Sequence, residues 1–339
     1  MSVAQVANFF DKAGLTWFVP IVRLLAGDDP GTQFKSLWML VGVPSLAMAL
    51  FLGFWNITAH DIKTSLGTIP GPAEVWHEFG NLVESHYAER AKAEAFYERQ
   101  EKRNEARLAK DPNAKVMIFP WTGKPTFFDQ IETSLKTVFT GFLLATVLAI
   151  PLGIVCGSSR VLQTALNPLI QIFKPVSPLA WLPIVTLIVS AVYQTNDGMF
   201  SKSFLNSAIT VTLCSLWPTV INTALGVAAV DKDLINVARV LQLGWYARIV
   251  KIVIPSSLPL IFAGLRLSLG VGWMVLIAAE MLAQNPGLGK FVWDEFQNGS
   301  SQSLARIMVA VFTIGLIGFA LDRIMLTLQQ LFSYGEQRV

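Results

Sequence analysis

Two residues of opposite charge lie within an otherwise uncharged apolar run from Leu258 to Gln284. They are Arg266 and Glu280. If the run crosses a membrane, charged side chains at that depth are costly and usually face a bundle interior or water. Both residues are therefore candidates for a pathway or a gate. The alternatives are a structural hydrogen bond between helices for Glu280 and an interfacial, snorkelling position for Arg266.

A second apolar run carries small and polar residues at steps of three and four. They are Ala208, Thr212, Ser215, Thr219, Asn222 and Gly226. Such spacing places the side chains on one face of a helix. This face suits either a pathway for a small hydrated anion or close packing between helices, which small residues permit.

Patterns for other chemistry are weak in this chain. Cys156 and Cys214 lie inside apolar runs and indicate small core residues rather than a disulfide or a zinc site. The histidines, His60, His77 and His86, lack the spacing of metal ligands. We therefore expect no catalytic residue, no metal and no cofactor.

No ATP-binding loop is evident either. The segment Gly287-Leu-Gly-Lys290 lacks the spacing of a phosphate-binding loop and indicates an ordinary turn. The net charge of +3 is too small to predict a nucleic-acid partner.

Composition places the chain in a membrane. Of its 339 residues, 53% are hydrophobic and 14% are charged, whereas about a quarter of the residues in soluble domains are charged. Crossing the hydrocarbon core takes about 20 apolar residues. The candidate runs are Leu37 to Trp55, Thr137 to Ser159, Pro175 to Asn196, Ser203 to Val230, Leu258 to Gln284, and Ile307 to Leu328. The sequence predicts an all-α bundle of six transmembrane helices, in contact with membrane lipid.

Basic residues in the short loops predict the orientation. Arg160, Lys174 and the basic residues of segment 231–255 fall on one side, together with the N-terminal segment. The short loops on the other side hold fewer basic residues. Because such residues are enriched in cytoplasmic loops, we expect both termini in the cytoplasm.

The predicted organisation has four parts. Residues 1–56 form an interfacial segment and the first span, 57–128 an outer loop with a charged helical insert, 129–330 the transmembrane core, and 331–339 a cytoplasmic tail. The insert, residues 84–115, is dense in both signs of charge. It is either a docking arm for a partner outside the membrane or a solvated spacer helix.

The segment from Asp231 to Pro255 predicts two short amphipathic helices at the cytoplasmic surface. Leu234, Val237, Ala238 and Leu241 share one face, and Trp245, Ile249, Ile252 and Val253 form a second set after a break near Gly244. Apolar faces of this kind need a membrane surface or a groove in a partner protein to cover them.

This segment resembles the Glu-Ala-Ala loop in permeases of binding-protein-dependent ABC importers. The spacing places Asn236, Val237 and Ala238 at the Glu-Ala-Ala positions, Gln242 at the glycine position, and Ile252, Ile254 and Pro255 at the closing Ile-x-Leu-Pro. The family's glutamate and glycine are absent, and Gly244 is an alternative source of the turn. Residues 125–330 also resemble the nitrate, bicarbonate, cyanate and taurine branch, and nitrate permeases most, notably in 173–183 and 278–282.

The resemblance implies a type I importer permease in a bacterial inner membrane. It implies cytoplasmic ATPase subunits that dock on this loop, a periplasmic or lipid-anchored solute-binding protein, and a second permease chain, with a homodimer as the expected pairing. Nitrate is the expected substrate, with bicarbonate, cyanate or taurine as alternatives, and the chain itself is not expected to be an enzyme. The alternative functions, from other classes of protein, are a stand-alone secondary transporter and a membrane enzyme.

Overall fold

Helices make up almost all of the structure, a computed structural model that describes residues 18–27, 29–59, 61–64, 67–111, 115–193, 200–300 and 302–333. In chain order they are α1 (Phe18–Leu25), α2 (Pro30–Leu37), α3 (Val43–Ala59), α4 (Pro72–Leu108), α5 (Phe127–Ser158), α6 (Arg160–Phe173), α7 (Pro178–Val192), α8 (Lys202–Ala228), α9 (Lys232–Val240), α10 (Trp245–Arg248), α11 (Ile254–Ala283), α12 (Leu288–Asn298) and α13 (Ser303–Ser333). The π-helical segments Trp38–Gly42 and Ile249–Val253 join α2 to α3 and α10 to α11. The strands β1 (Lys63–Thr64) and β2 (Gly67–Thr68) pair antiparallel, with Lys63 opposite Thr68. The prediction of an all-α bundle is confirmed.

Five helices in the described part of the chain are long and apolar enough to cross a membrane. They are Pro30–Ala59, Phe127–Ser158, Lys202–Ala228, Trp245–Ala283 and Ser303–Phe332. A sixth span exists if α6 and α7 are counted together, and these two helices meet at a bend of 98°. The six predicted runs therefore correspond to five continuous helices and one bent pair.

The bent pair is where the helix bounds differ most from the prediction. The sequence predicts a helix from Pro175 to Asn196, whereas α7 covers only Pro178–Val192. Its 15 residues extend about 22 Å, less than the roughly 30 Å of the hydrocarbon core. Pro175 lacks a backbone N–H and cannot continue the helical hydrogen bonds of α6, which ends at Phe173. Ser177 then caps α7; residues 194–199 lie outside the described part.

Close packing builds the centre of the bundle, where α8 contacts both α5 and α11. Glycines permit this approach. A β-carbon on Gly153 in α5 would lie 2.5 Å from Cβ of Thr223 in α8, and one on Gly264 in α11 would lie 2.8 Å from Cβ of Asn222. Small residues let helix backbones approach closely in membrane proteins. Helix α8 is therefore held from two sides.

The first span lies at the periphery of the bundle. No residue in its most apolar window is buried within the chain, and the ring of Trp55 lies 5.1 Å from that of Phe312 in α13. Its exposed apolar side chains fit a lipid environment. Residues 1–17, which hold much of the predicted interfacial segment, and residues 334–339 of the predicted tail lie outside the described part.

The charged insert belongs to a helix that starts earlier than predicted. The prediction covers residues 84–115, whereas α4 begins at Pro72, a residue that favours the first position of a helix. An extended segment, residues 115–121, then runs beside α4. The Gln100 side chain donates to the Phe119 carbonyl at 2.9 Å and accepts from the Phe119 N–H at 2.8 Å. We call α4 together with residues 115–121 the outer arm.

Candidate functional site

The loop between α8 and α11 forms the short helices that its sequence predicts. The carboxylate of Asp231 caps α9 by accepting from the N–H of Asp233 at 2.9 Å. Helix α10 begins at Trp245 and continues through the π-helical segment directly into α11. The loop is thus joined without a flexible linker to one of the two central spans.

Gln242, and not Gly244, makes the turn that ends α9. The φ angle of Gln242 is 50°, in the left-handed region, whereas that of Gly244 is −59°. The N–H of Leu243 donates to the carbonyl of Ala238 at 3.0 Å, as in a Schellman helix end. Left-handed backbone is easiest for glycine, which explains a glycine at this place in the pattern that the segment resembles. The alternative that Gly244 supplies the turn is wrong.

The loop buries Ala238 and presents other apolar side chains outward. Ala238 is 1% exposed. Later in the loop, Ile249 and Val253 pack with Ile154 and Val227 in a small buried cluster. The four most exposed apolar residues of the loop, which we call the loop surface, are Val240, Leu241, Trp245 and Tyr246. Of the other predicted loop residues, Asn236, Val237, Gln242, Gly244 and Pro255 are exposed and Ile252 is half-buried. A partner can therefore contact the loop surface, whereas Ala238 belongs to the loop interior.

The polar stripe of α8 makes hydrogen bonds within the bundle. Thr212 donates to the carbonyl of Ala208 at 2.8 Å and lies 3.1 Å from that of Gly141 in α5. Ser215 donates to Val211 at 2.7 Å, and the Asn222 amide donates to the carbonyl of Pro218 at 2.9 Å. Three of these bonds lie within α8 and only the contact with Gly141 joins two helices, whereas the buried positions of Ala208, Thr212 and Ser215 fit close packing. A pathway along it stays a prediction.

Ser268 of α11 inserts its hydroxyl into α8 next to Pro218. Its Oγ donates to the carbonyl of Ser215 at 2.5 Å and accepts from the N–H of Thr219 at 3.1 Å. In an unbroken helix that N–H and that carbonyl would bond to each other. A group inserted into the hydrogen-bond ladder is a recognised cause of a helix kink. The neighbouring helix α11 thus supplies a hydrogen-bond partner to both backbone groups beside Pro218.

Glu280 is fully buried near the C-terminal end of α11. The hydroxyl of Ser134 lies 2.9 and 2.8 Å from its two carboxylate oxygens and shares its single proton with this carboxylate. The N–H of Gly289 donates to the same carboxylate at 3.0 Å, and that of Leu288 donates to Ser134 Oγ at 2.9 Å. The first turn of a helix carries unpaired N–H groups and partial positive charge. Glu280 and Ser134 together therefore cap α12 and tie it to α5 and α11.

The segment Gly287-Leu-Gly-Lys290 forms the start of α12. A β-carbon on Gly287 would overlap the carboxylate of Glu280, so this position requires a glycine for the close approach. The N–H groups of Leu288 and Gly289 already bond to Ser134 and Glu280. They are not free to hold a phosphate, as the N-terminus of a helix otherwise can.

Arg266 pairs with Asp322 in the neighbouring helix α13. Its Nε donates to Oδ1 at 2.5 Å and its Nη2 donates to Oδ2 at 2.8 Å. The two side chains are 36% and 38% exposed and line a groove of about 670 Å³ between α11 and α13. Arg266 is therefore paired laterally within the bundle rather than snorkelling to a membrane surface.

Sequence reasoning missed three residues at these sites. Ser134 and Ser268 gave no signal, since isolated hydroxyls are common in apolar runs. Asp322 interrupts the sixth run as Arg266 interrupts the fifth, and pairing opposite charges between runs would have identified it. Among the described residues, no group of three or more His, Cys, Asp or Glu side chains could hold a metal ion.

The fold and these sites define an integral membrane protein with a helical bundle and an amphipathic helical loop between two of its spans. Residues 149–334 match the family model described as "binding-protein-dependent transport system inner membrane component". The chain belongs to this family.

Similar proteins include permeases for two different anions. The nitrate import permease protein of Synechococcus elongatus is 38% identical over 204 residues, which are 60% of this chain and 69% of the relative. The bicarbonate transport system permease protein of Synechocystis is 38% identical over 210 residues, 62% of this chain and 70% of the relative. Among solved structures, an inward-facing form of the MetNI methionine ABC transporter aligns with 94% of its chain and 59% of this one, at 16% identity and a TM-score of 0.48.

Proposed function

We propose that this chain is the permease subunit through which an ATP-driven importer moves nitrate across a bacterial inner membrane. The observation that carries the substrate is the 38% identity to a nitrate import permease. Arg266, a cationic group in the middle of a span, fits a pathway for a small anion. Bicarbonate is the second candidate, because a bicarbonate permease is equally identical.

ATP hydrolysis in this proposal comes from separate cytoplasmic subunits that dock on the loop surface. Four exposed apolar side chains on short helices suit a groove in a partner protein. The loop leads directly into α11, and its buried residues pack on α5 and on the end of α8. A displacement of the docked ATPase would therefore reach the central helices. The permease chain itself has no catalytic role in this scheme.

The remaining partners follow from the family to which the chain belongs. A second copy of the chain would complete the pathway, since one bundle provides only one wall of it. A solute-binding protein would deliver the anion at the opposite end from the loop, which is also the end that carries the outer arm. Both termini then lie in the cytoplasm.

The test is uptake by the reconstituted complex. The permease, its ATPase and its solute-binding protein are placed in lipid vesicles, and entry of labelled nitrate and labelled bicarbonate is measured with and without ATP. ATP-dependent entry of nitrate supports the first candidate, and entry of bicarbonate alone supports the second. Entry of neither anion, with the complex assembled, would contradict the proposed function.

A further inference from the structure

The Arg266–Asp322 pair lies at a depth where an ion pair is unusual. Arg266 is in the middle third of α11, and Asp322 is in the middle third of α13. Both are more than a third exposed within the chain. Ionisable groups inside membrane spans almost always face the bundle interior or a water-filled cavity. The groove between α11 and α13 is therefore better suited to water or protein than to lipid.

The geometry of the pair is that of a guanidinium holding a planar oxyanion. Nε and Nη2 of Arg266 engage the two oxygens of the Asp322 carboxylate side by side. This fork matches carboxylate and other planar oxyanions, and it is the reason that arginine, rather than lysine, recognises them. Nitrate and bicarbonate present the same edge of two oxygens on a trigonal centre. Asp322 thus occupies the site that such an anion would take.

The groove around Arg266 has room for an anion, and its walls leave the guanidinium charge weakly screened. Nη1 of Arg266 has no hydrogen-bond partner among the residues that the structure describes. A β-carbon on Gly270 would meet nothing within 4 Å, so the groove is open beside the pair. Most other lining residues are apolar, including Leu267, Val271 and Met274. Apolar walls weaken the screening of a charge by water.

We propose that Arg266 is an anion-binding group of the permease and that Asp322 is its built-in competitor. The anion takes the guanidinium edge when the carboxylate of Asp322 moves away, and Asp322 returns when the anion leaves. Because the displaced carboxylate stays close, its negative charge shortens the residence of the anion, as a transport site requires. This inference rests on the proposed function, and it adds a site in the membrane that is independent of the solute-binding protein.

The first test measures anion binding by the permease–ATPase complex in nanodiscs, without the solute-binding protein. The readout is NMR line broadening of ¹⁵N-nitrate and, separately, of ¹³C-bicarbonate. Asp322→Asn removes the competitor, so broadening by at least one anion should increase several-fold over the wild type. Adding Arg266→Gln to Asp322→Asn should abolish the increase. Asp294→Asn breaks the Lys290–Asp294 pair on α12 (2.7 Å) and should change nothing.

An unchanged signal in Asp322→Asn, or an increase that survives Arg266→Gln, overturns the proposal. A second variant covers the case in which Asp322→Asn does not assemble. Arg266→Lys keeps the opposite charge beside Asp322 but loses the fork, so anion uptake by the vesicles should fall by about tenfold for each lost charged hydrogen bond. Normal uptake in Arg266→Lys would refute the site.

The proposed function and the anion site at Arg266 can be refuted separately. Wild-type vesicles that take up neither nitrate nor bicarbonate contradict the proposed function. Wild-type uptake that is unchanged in Arg266→Lys contradicts only the anion site.

Discussion

The carboxylate of Glu280 accepts a hydrogen bond from the backbone N–H of Gly289 at 3.0 Å. A residue at the end of one helix thereby caps the first turn of the next. Ser134 completes the cap from a third helix, with its hydroxyl on the carboxylate and its oxygen accepting from Leu288. Glu280, a candidate gate from the sequence, therefore links its own helix α11 to α5 and α12. Removal of its charge has a structural consequence that can be measured.

We predict that Glu280→Gln lowers the stability of the permease. An amide keeps one acceptor oxygen and turns a donor toward Ser134 or Gly289, so one buried hydrogen bond is lost at a cost of about 1–3 kcal/mol. Thermal unfolding in detergent would detect this change. Anion uptake should fall with it, because α12 loses its anchor.

A double-mutant cycle separates this cap from a general effect of mutation. Ser134→Ala should destabilise as well, and Glu280→Gln combined with Ser134→Ala should cost less than the sum of the two. Glu132→Gln is the matched control, because Glu132 is exposed and pairs with Lys136 at the surface. Additive effects at positions 280 and 134 would show that the two side chains do not act as one cap.

Gln242→Gly should stabilise the loop. The strain of a left-handed non-glycine residue is about 1–2 kcal/mol, and the entropy that glycine loses on folding offsets about 0.5–1 kcal/mol of the gain. The net increase in the free energy of unfolding is therefore up to about 1.5 kcal/mol. Gly244→Ala is the control: its φ of −59° suits alanine, and open space surrounds it. A loss of stability in Gln242→Gly would contradict the left-handed turn.

Two aspartate substitutions distinguish the loop interior from the loop surface. Val240 is 82% exposed, so Val240→Asp should leave the permease folded and weaken its hold on the ATPase by about tenfold or more, as at an interface hot spot. Ala238 is buried in its own chain, so Ala238→Asp should destabilise the permease itself through an unpaired buried charge. Co-purification of the ATPase and thermal unfolding are the measurements. If Val240→Asp retains the ATPase fully, the loop surface is not part of the interface.

Single cysteines test the orientation. Glu101→Cys on the outer arm should react with an impermeant thiol reagent in intact cells, whereas Tyr246→Cys should react only after permeabilisation. Gln100, next to the first of these positions, is a poor probe because it is buried and bonded to Phe119. The opposite labelling pattern would place the termini outside.

The amphipathic loop and the apolar runs could be recognised in the sequence because each is a pattern among residues close together along the chain. A helix face repeats within a few residues, and a span is a stretch of hydropathy long enough to cross the bilayer. The runs therefore identified the membrane class, and the spacing from Asn236 to Pro255 identified the loop. At Pro175 the local signal misled, because the apolar composition continues across a 98° bend.

The tertiary structure alone decided which side chains meet. Ser134 and Glu280 are separated by 146 positions along the chain, and Arg266 and Asp322 by 56, so no local repeat relates them. The direction in which Ala238 faces was likewise invisible, since it depends on how α9 packs against its neighbours. A charge in an apolar run indicates that it needs a partner, because an unpaired one is too costly at that depth. Which partner it finds is set by the packing of the helices.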